Sequence, residues 1–423
     1  MRRLAWGIVL VLVVLPSIAS GAVNDPYFQL QWGLVRIGGP TSWTVTKGAG
    51  QVVAVVDTGV DITHPDLQGQ LVPGYDFVDN DSKPLDQNGH GTLVAGIIGA
   101  VTGNSVGVAS VAPRAKIMPV RVLGPDGSGS STAVSEGIAW AVQHGATVVN
   151  LSLAQEGGAD SGPLLRSPAV DSAIKAAAAA GAVVVVAAGN TSTGGTNQTA
   201  YDATVPGVIV VGASARDNRP AAYSNHGAGL DLLAPGGGSS SDPTANGCTQ
   251  DQSIVSTWWN PATKRASYGG GCGSSMSVAF VSGVAALLRA RGYDNAAAVS
   301  RIEQTADDIG SKGRDDLTGN GILNGARALG ARAATPRVPS PRTSVPHPAS
   351  SRVTVAGSAT PVPSTRAPSP GSKPRLKVPT VNAIGPLDIR GSSRSAPVAA
   401  GAALICLLIV GHGLRAMAAT QRP

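Results

Sequence analysis

The sequence predicts an α/β fold, a parallel sheet with helices on both faces, followed by a disordered Pro-rich linker and one transmembrane helix. Three observations carry this. Short β-branched apolar runs alternate with Ala-rich helical stretches up to about residue 331. Twelve prolines then crowd into residues 332–395. An uncharged apolar stretch, 396–414, lies close to the end of the chain.

Residues 1–22 read as a secretory signal peptide. Arg2 and Arg3 precede a nearly pure apolar run from 4 to 15, and Ser20-Gly21-Ala22 offers small residues at a cleavage site. The alternative is an uncut signal anchor. Either way the following segment is exported, where a thiol pair can oxidise.

Residues 23–331 read as one globular domain. Apolar runs at 52–56, 117–123, 147–153, 183–187 and 208–211 are bounded by Gly, Pro, Asn or Asp, and helical stretches at 91–100, 132–144, 169–180 and 277–291 lie between them. The formal charge of the whole chain is +7, which raises nucleic acid as a partner. Its distribution excludes that: residues 23–331 carry 18 Lys and Arg against 24 Asp and Glu, whereas residues 332–423 carry 12 basic residues and one acid, Asp388. The basic tail solvates an extended linker or touches anionic wall polymer or lipid.

The stretch 396–414 reaches about 28 Å as a helix, close to a ~30 Å hydrocarbon core, and reads as a single membrane span. Arg390 and Arg394 flank one end, Arg415 and Arg422 the other, so flanking charge leaves the orientation open. The N-terminal signal sets it: cell membrane, single pass, body extracellular, residues 415–423 a cytoplasmic tail.

Three segments of the body carry chemistry. In the first, Val52-Val53-Ala54-Val55-Val56 runs straight into Asp57, and sites in parallel sheets lie at the carboxyl ends of strands. Alone, such an Asp is often only a helix cap. The second, Asn88-Gly89-His90-Gly91-Thr92, presents an imidazole between two glycines at the start of a helix. The third, Gly273-Ser274-Ser275-Met276-Ser277, puts a serine on a tight turn before a buried helix, where on its own it could be an N-cap. Together they hold what hydroxyl attack on a carbonyl needs: a nucleophile, a base, and an acid that orients the base.

In the order Asp, His, Ser these motifs resemble the subtilisin-like serine proteases, over about residues 25–331. The opening Asn24-Asp25-Pro26-Tyr27-Phe28 and the loop 76–81 are most similar to the thermitase branch. The resemblance implies a serine endopeptidase working through an acyl-enzyme, with Asp57 as orienter, His90 as general base and then acid, and Ser275 as nucleophile. Asn190 matches the family's oxyanion-hole asparagine. Leu123, Gly124, Gly127, Ser128 and Gly129 on one side, and Ser152, Leu153 and Ala154 with Ala188 and Gly189 on the other, match the stretches that bind an extended polypeptide substrate as an added strand. Several positions depart from the family pattern. Ser274 replaces a usual Thr, Ala279 a usual Pro, Ala154 a Gly at the pocket wall, and Asp202 a Pro near the pocket floor. No long pro-domain separates Ala22 from Asp25.

Calcium is expected at two places. Asp76, Asp79 and Asp81 crowd three carboxylates into six residues, which repel one another unless solvated or neutralised by a cation. The family resemblance implies a second site from Asp25, Asp66, the Asn104 amide and the carbonyls of Val101, Val106 and Val108. Cys248 and Cys272 flank an insertion rich in Gly, Ser and Asn and are read as a disulfide beside the active site, with two free thiols as the alternative. Cys406 lies in the expected span.

The sequence therefore reads as an exported, membrane-anchored endopeptidase. Signal, protease, Pro-rich linker and tail anchor follow the order of the mycosins of actinobacterial type VII secretion, so a secretion-system partner is a candidate. The competing reading is a catalytically inactive, subtilisin-shaped scaffold that binds peptides or secretion partners at the cell surface.

Overall fold

The computed structural model describes residues 23–155, 167–191, 199, 201, 205–242, 248–331 and 375–377. The expected signal (1–22), span (396–414) and cytoplasmic tail (415–423), and also Asp202, lie outside the described residues, as does all of 332–395 except 375–377. Among the described residues, no helix is long and apolar enough to cross a membrane.

The strands, in chain order, are β1 (Val52–Asp57), β2 (Tyr75–Asp76), β3 (Lys116–Arg121), β4 (Ser128–Ser130), β5 (Val148–Leu151), β6 (Ala154–Gln155), β7 (Val183–Ala187), β8 (Val208–Ser214), β9 (Leu232–Pro235), β10 (Ile254–Asn260), β11 (Arg265–Gly271) and β12 (Arg375–Lys377). The α-helices are α1 (Trp32–Arg36), α2 (Gly39–Ser42), α3 (His90–Gly99), α4 (Ser131–Gln143), α5 (Pro168–Ala179), α6 (Ser274–Arg289), α7 (Asn295–Gln304) and α8 (Gly325–Ala328).

Seven strands form a parallel sheet in the order β2-β3-β1-β5-β7-β8-β9. Its central strands are almost wholly aliphatic because both faces are covered. Ala54, Val56, Val120, Val149 and Val184 form one core with Val134 and Ile138 of α4 and Val170 and Ile174 of α5. The alternate residues Val53 and Val55 point to the opposite face, and they too are fully buried. Helix α6 packs on α3 and on β5, β7, β8 and β9. It is buried from Ser274 to Leu288, as a helix apolar around most of its circumference must be.

Two features were not expected. The insertion between the cysteines is an antiparallel hairpin, β10 paired with β11 from Ile254↔Gly271 to Asn260↔Arg265. It lies along α3: the Ser256 and Thr257 hydroxyls donate to the carbonyls of Leu93 (2.8 Å) and Thr92 (2.7 Å). Within the stretch read as a disordered linker, β12 forms a strand that pairs antiparallel with β4 and β6.

Candidate active site

Asp57 ends β1, Ser152 follows β5 by one residue, and Asn190 follows β7 by three. All three therefore lie beyond the carboxyl ends of parallel strands. The helices carrying His90 and Ser275 start there as well: His90 is the first residue of α3 and Ser275 the second of α6.

Asp57 and His90 are both buried, and Nδ1 of His90 lies 2.7 Å from Asp57 Oδ1. The same oxygen accepts from the Thr58 N–H at 2.7 Å. A close backbone approach makes the pairing reachable, since a Cβ on Gly91 would stand 2.0 Å from the Gly59 carbonyl oxygen. Only glycine at 91 lets α3 come this near the end of β1. His90 Nε2 is buried and makes no hydrogen bond among the described residues. The Ser275 hydroxyl donates instead to the Ser152 carbonyl at 3.4 Å.

Neither α3 nor α6 has a side-chain N-cap of its own, although the first N–H groups of a helix need acceptors. For α6 the acceptor is Asn190, whose Oδ1 receives the Ser274 N–H at 2.8 Å. This fixes the amide with its nitrogen beside Gly273, 3.0 Å from where a Cβ would stand there. The Ser274 hydroxyl donor or acceptor capacity is also used, accepting the Gly189 N–H at 3.3 Å. For α3 the acceptor is Asp86, a residue the sequence reading passed over. Its carboxylate accepts N–H groups of Asn88 (2.9 Å), Gly89 (2.8 Å) and Thr92 (3.0 Å), and the hydroxyls of Thr58 (2.9 Å) and Thr92 (2.6 Å). Thr58 Oγ1 in turn accepts the Gly91 N–H at 3.0 Å. Burial pushes the Asp86 carboxyl above its usual range, and the hydrogen bonds pull it back.

The residues matched to substrate binding fall on two facing rims. On one, Leu123 is buried, and Gly124 and Gly127 close a turn (Gly127 N–H to Gly124 O, 2.9 Å) that leads into Ser128 and Gly129 of β4. On the other, Ser152 and Leu153 are buried and lead into Ala154 of β6. Ala188 and Gly189 connect β7 to Asn190, with Ala188 buried. Ser152 is held from below, since its hydroxyl accepts from Asn150 Nδ2 (3.0 Å) and donates to the Ser275 carbonyl (3.1 Å).

The structure joins Cys248 and Cys272 in a disulfide, with Cα atoms 6.2 Å apart. Cys272 stands three residues before Ser275, so the covalent link closes the hairpin loop directly against the start of α6.

The acidic loop has a cation from the protein itself. Arg121, buried at the end of β3, donates Nη1 to Asp76 Oδ2 at 2.6 Å and also to Asp79. Asp81 caps the turn through the Lys83 N–H at 2.7 Å. Arg121 thus offsets part of the charge of Asp76 and Asp79, while Asp81 makes no bond to it.

The second set does converge. Asp25 accepts from the Gly103 N–H (2.9 Å) and the Asn104 N–H (3.2 Å), and Asp66 accepts from Asn104 Nδ2 and the Val108 N–H, both at 2.8 Å. Both carboxylates are buried. Burial raises both, pushing Asp66 to about 6. No described group donates to the carbonyls of Val101, Val106 or Val108. Two raised carboxylates beside three uncommitted carbonyls fit a hard, oxygen-seeking cation, provided that the Asn104 amide, whose oxygen now accepts from Val106 N–H, turns over. The described residues hold no cluster of three His, Cys, Asp or Glu side chains suited to a metal. Such a site would rest on two carboxylates and one amide, with backbone oxygens completing it.

A seven-stranded parallel sheet carrying an Asp–His pair and a helix-start serine at its carboxyl edge defines the subtilisin-like serine endopeptidases. Comparison with known proteins agrees. The profile of the subtilase family matches residues 48–321, and the chain belongs to that family. It is 38% identical over 291 residues to thermitase of Thermoactinomyces vulgaris, a match spanning 69% of this chain and 93% of thermitase. It is 35% identical over 303 residues to Subtilisin Savinase of Lederbergia lenta, across 71% and 98% of the two chains. Among solved structures, a protease from Pseudoalteromonas arctica superposes with a TM-score of 0.62 at 31% identity, covering 73% of this chain and 99% of that one. The chain is accordingly a serine endopeptidase of the subtilisin type.

Proposed function

We propose that hydrolysis runs through Asp57, His90 and Ser275. The observation that carries this reading is the buried 2.7 Å His90–Asp57 pair with the opposite imidazole nitrogen unengaged. A turn of the Ser275 side chain away from the Ser152 carbonyl brings its hydroxyl toward that nitrogen. Such bonds are often loose before substrate binds. Ser275 Oγ attacks the substrate carbonyl carbon while His90 Nε2 takes its proton, and Asp57 stabilises the imidazolium. The Asn190 amide and the Ser275 N–H at the start of α6 receive the oxyanion. His90 then returns the proton to the leaving amine, giving an acyl-enzyme on Ser275. Water, deprotonated by the same imidazole, releases the acid and restores the serine. Substrate polypeptide lies extended between the rims at 128–129 and 152–154.

The expected leader, linker and C-terminal span make this an exported enzyme held at the membrane with its catalytic domain outside. A secretion-system partner follows from the same segment order. We also assign a structural calcium ion to Asp25, Asp66, Asn104 and the carbonyls of Val101, Val106 and Val108. Its role is to tie the N-terminal segment to the body. A fluorophosphonate probe tests the central reading. It should label the purified chain, and Ser275→Ala should abolish labelling without altering the melting transition. Labelling that persists in Ser275→Ala and disappears in Ser274→Ala would overturn the assignment.

A further inference from the structure

Strand β12 stands between the two substrate rims. Arg375, Leu376 and Lys377 pair antiparallel with Ser130, Gly129 and Ser128 of β4, while Leu376 and Lys377 pair antiparallel with Gln155 and Ala154 of β6. The sheet order is β4-β12-β6. Among the described residues neither β4 nor β6 pairs with any other strand. Without β12 they are two exposed edges separated by the width of one strand. An extended polypeptide substrate needs the same slot, so the two cannot occupy it together.

The direction of β12 matters too. It runs toward its Lys377 end, opposite Ala154, two residues from Ser152, whose carbonyl accepts the Ser275 hydroxyl. A substrate whose carbonyl side is to reach Ser275 must enter with this same polarity. The tether is adequate: 43 residues separate Ala331 from Arg375, a contour of up to about 140 Å. A tethered segment of this kind is presented at an effective concentration on the order of 1 mM.

We propose that residues 375–377 form an intramolecular strand that occupies the substrate slot and holds the protease in a restrained state, released when a substrate strand or a displacement of the linker removes it. The inference rests on the proteolytic reading for the purpose of the slot. It does not need tight pairing. A segment that would bind as a free peptide with a dissociation constant of about 0.1 mM, presented at ~1 mM, slows access about tenfold.

The test uses the full chain. Leu376→Pro removes an N–H from the centre of the strand, and Leu376→Ala keeps it. The Leu376→Pro chain should label with the fluorophosphonate about ten times faster than wild type, and Leu376→Ala at the wild-type rate. A synthetic peptide of residues 371–382 should slow the Leu376→Pro chain again, with half-effect near 0.1 mM. Equal labelling rates in wild type and Leu376→Pro would overturn the inference while leaving the protease reading intact. Hydrogen exchange in a Ser275→Ala background separates the two readings without needing activity. The amides of 128–130 and 154–155 should lose protection on Leu376→Pro, and unchanged protection would overturn the strand even if no chain were labelled.

Discussion

Asp86 and Thr92 are joined twice, through the Thr92 N–H at 3.0 Å and its hydroxyl at 2.6 Å. One buried carboxylate thereby holds both the turn before His90 and the first turn of α3. The imidazole is aimed by an acid that never touches it.

Replacing that carboxylate should loosen the helix start. Asp86→Asn keeps the shape and one acceptor oxygen but loses charged hydrogen bonds, so we expect a loss of about 2–4 kcal/mol and at least a tenfold fall in kcat. Burial raises the Asp86 pKa in the folded state. This group's contribution to stability is therefore full below the unfolded carboxylate value and is lost as pH rises through the folded value. The margin of wild type over Asp86→Asn should widen as the pH is taken from 7 down to 4. Urea midpoints measured across that range decide it, and a margin that narrowed would contradict the assigned direction.

Asn190→Ala removes the cap from Ser274 and, in the proposed mechanism, the amide that receives the oxyanion. In subtilisin, losing the comparable donor costs about 10²–10³ in kcat, and the same range is expected here with KM nearly unchanged. Steady-state kinetics on a peptide amide give the answer. A raised KM at constant kcat would place Asn190 in ground-state binding instead.

Calcium should stabilise the chain through Asp66. At a hundredfold excess over its dissociation constant, a bound ion adds about 2.7 kcal/mol. A chelator should lower the melting temperature of the wild type and leave Asp66→Ala unmoved. Equal melting of wild type with and without chelator would remove the ion from this loop.

Arg121→Met strands Asp76 as a buried charge without its partner. Breaking such a pair typically costs about 3–5 kcal/mol. Asp76→Asn in the same chain should recover part of this, while added calcium should not. Full recovery of the melting temperature by calcium alone would mean that the acidic loop accepts the ion in place of the guanidinium.

The sequence made Asp57, His90 and Ser275 legible because each sits where a local pattern ends abruptly: a valine run into an acid, a histidine between glycines, a serine before a buried helix. Asp86 was not legible. In sequence it is one polar residue among the turn residues of the loop before His90, and only the packing of that loop against β1 turns it into a buried acceptor. Arg121 was equally silent inside the apolar run 117–123, yet the folded sheet makes it the buried counterion of Asp76. The hairpin Ile254–Asn260 with Arg265–Gly271 was hidden by Gly and Ser, which weaken the alternation that marks strands. Strand β12 had no local signal at all. Three residues amid prolines become a strand only because their partners, more than two hundred positions away, leave open edges.

The substrate slot proposed between β4 and β6 is bounded by two backbone edges. In that reading it recognises main chain before side chains, so any unfolded polypeptide qualifies, including another copy of this protein. Each molecule that opens transiently is prey for its folded neighbours. Loss of activity on heating should then accelerate with protein concentration, since destruction requires an encounter between two molecules. For this enzyme, durability is a population property, a lifetime set by crowding among siblings as much as by the free energy of one chain.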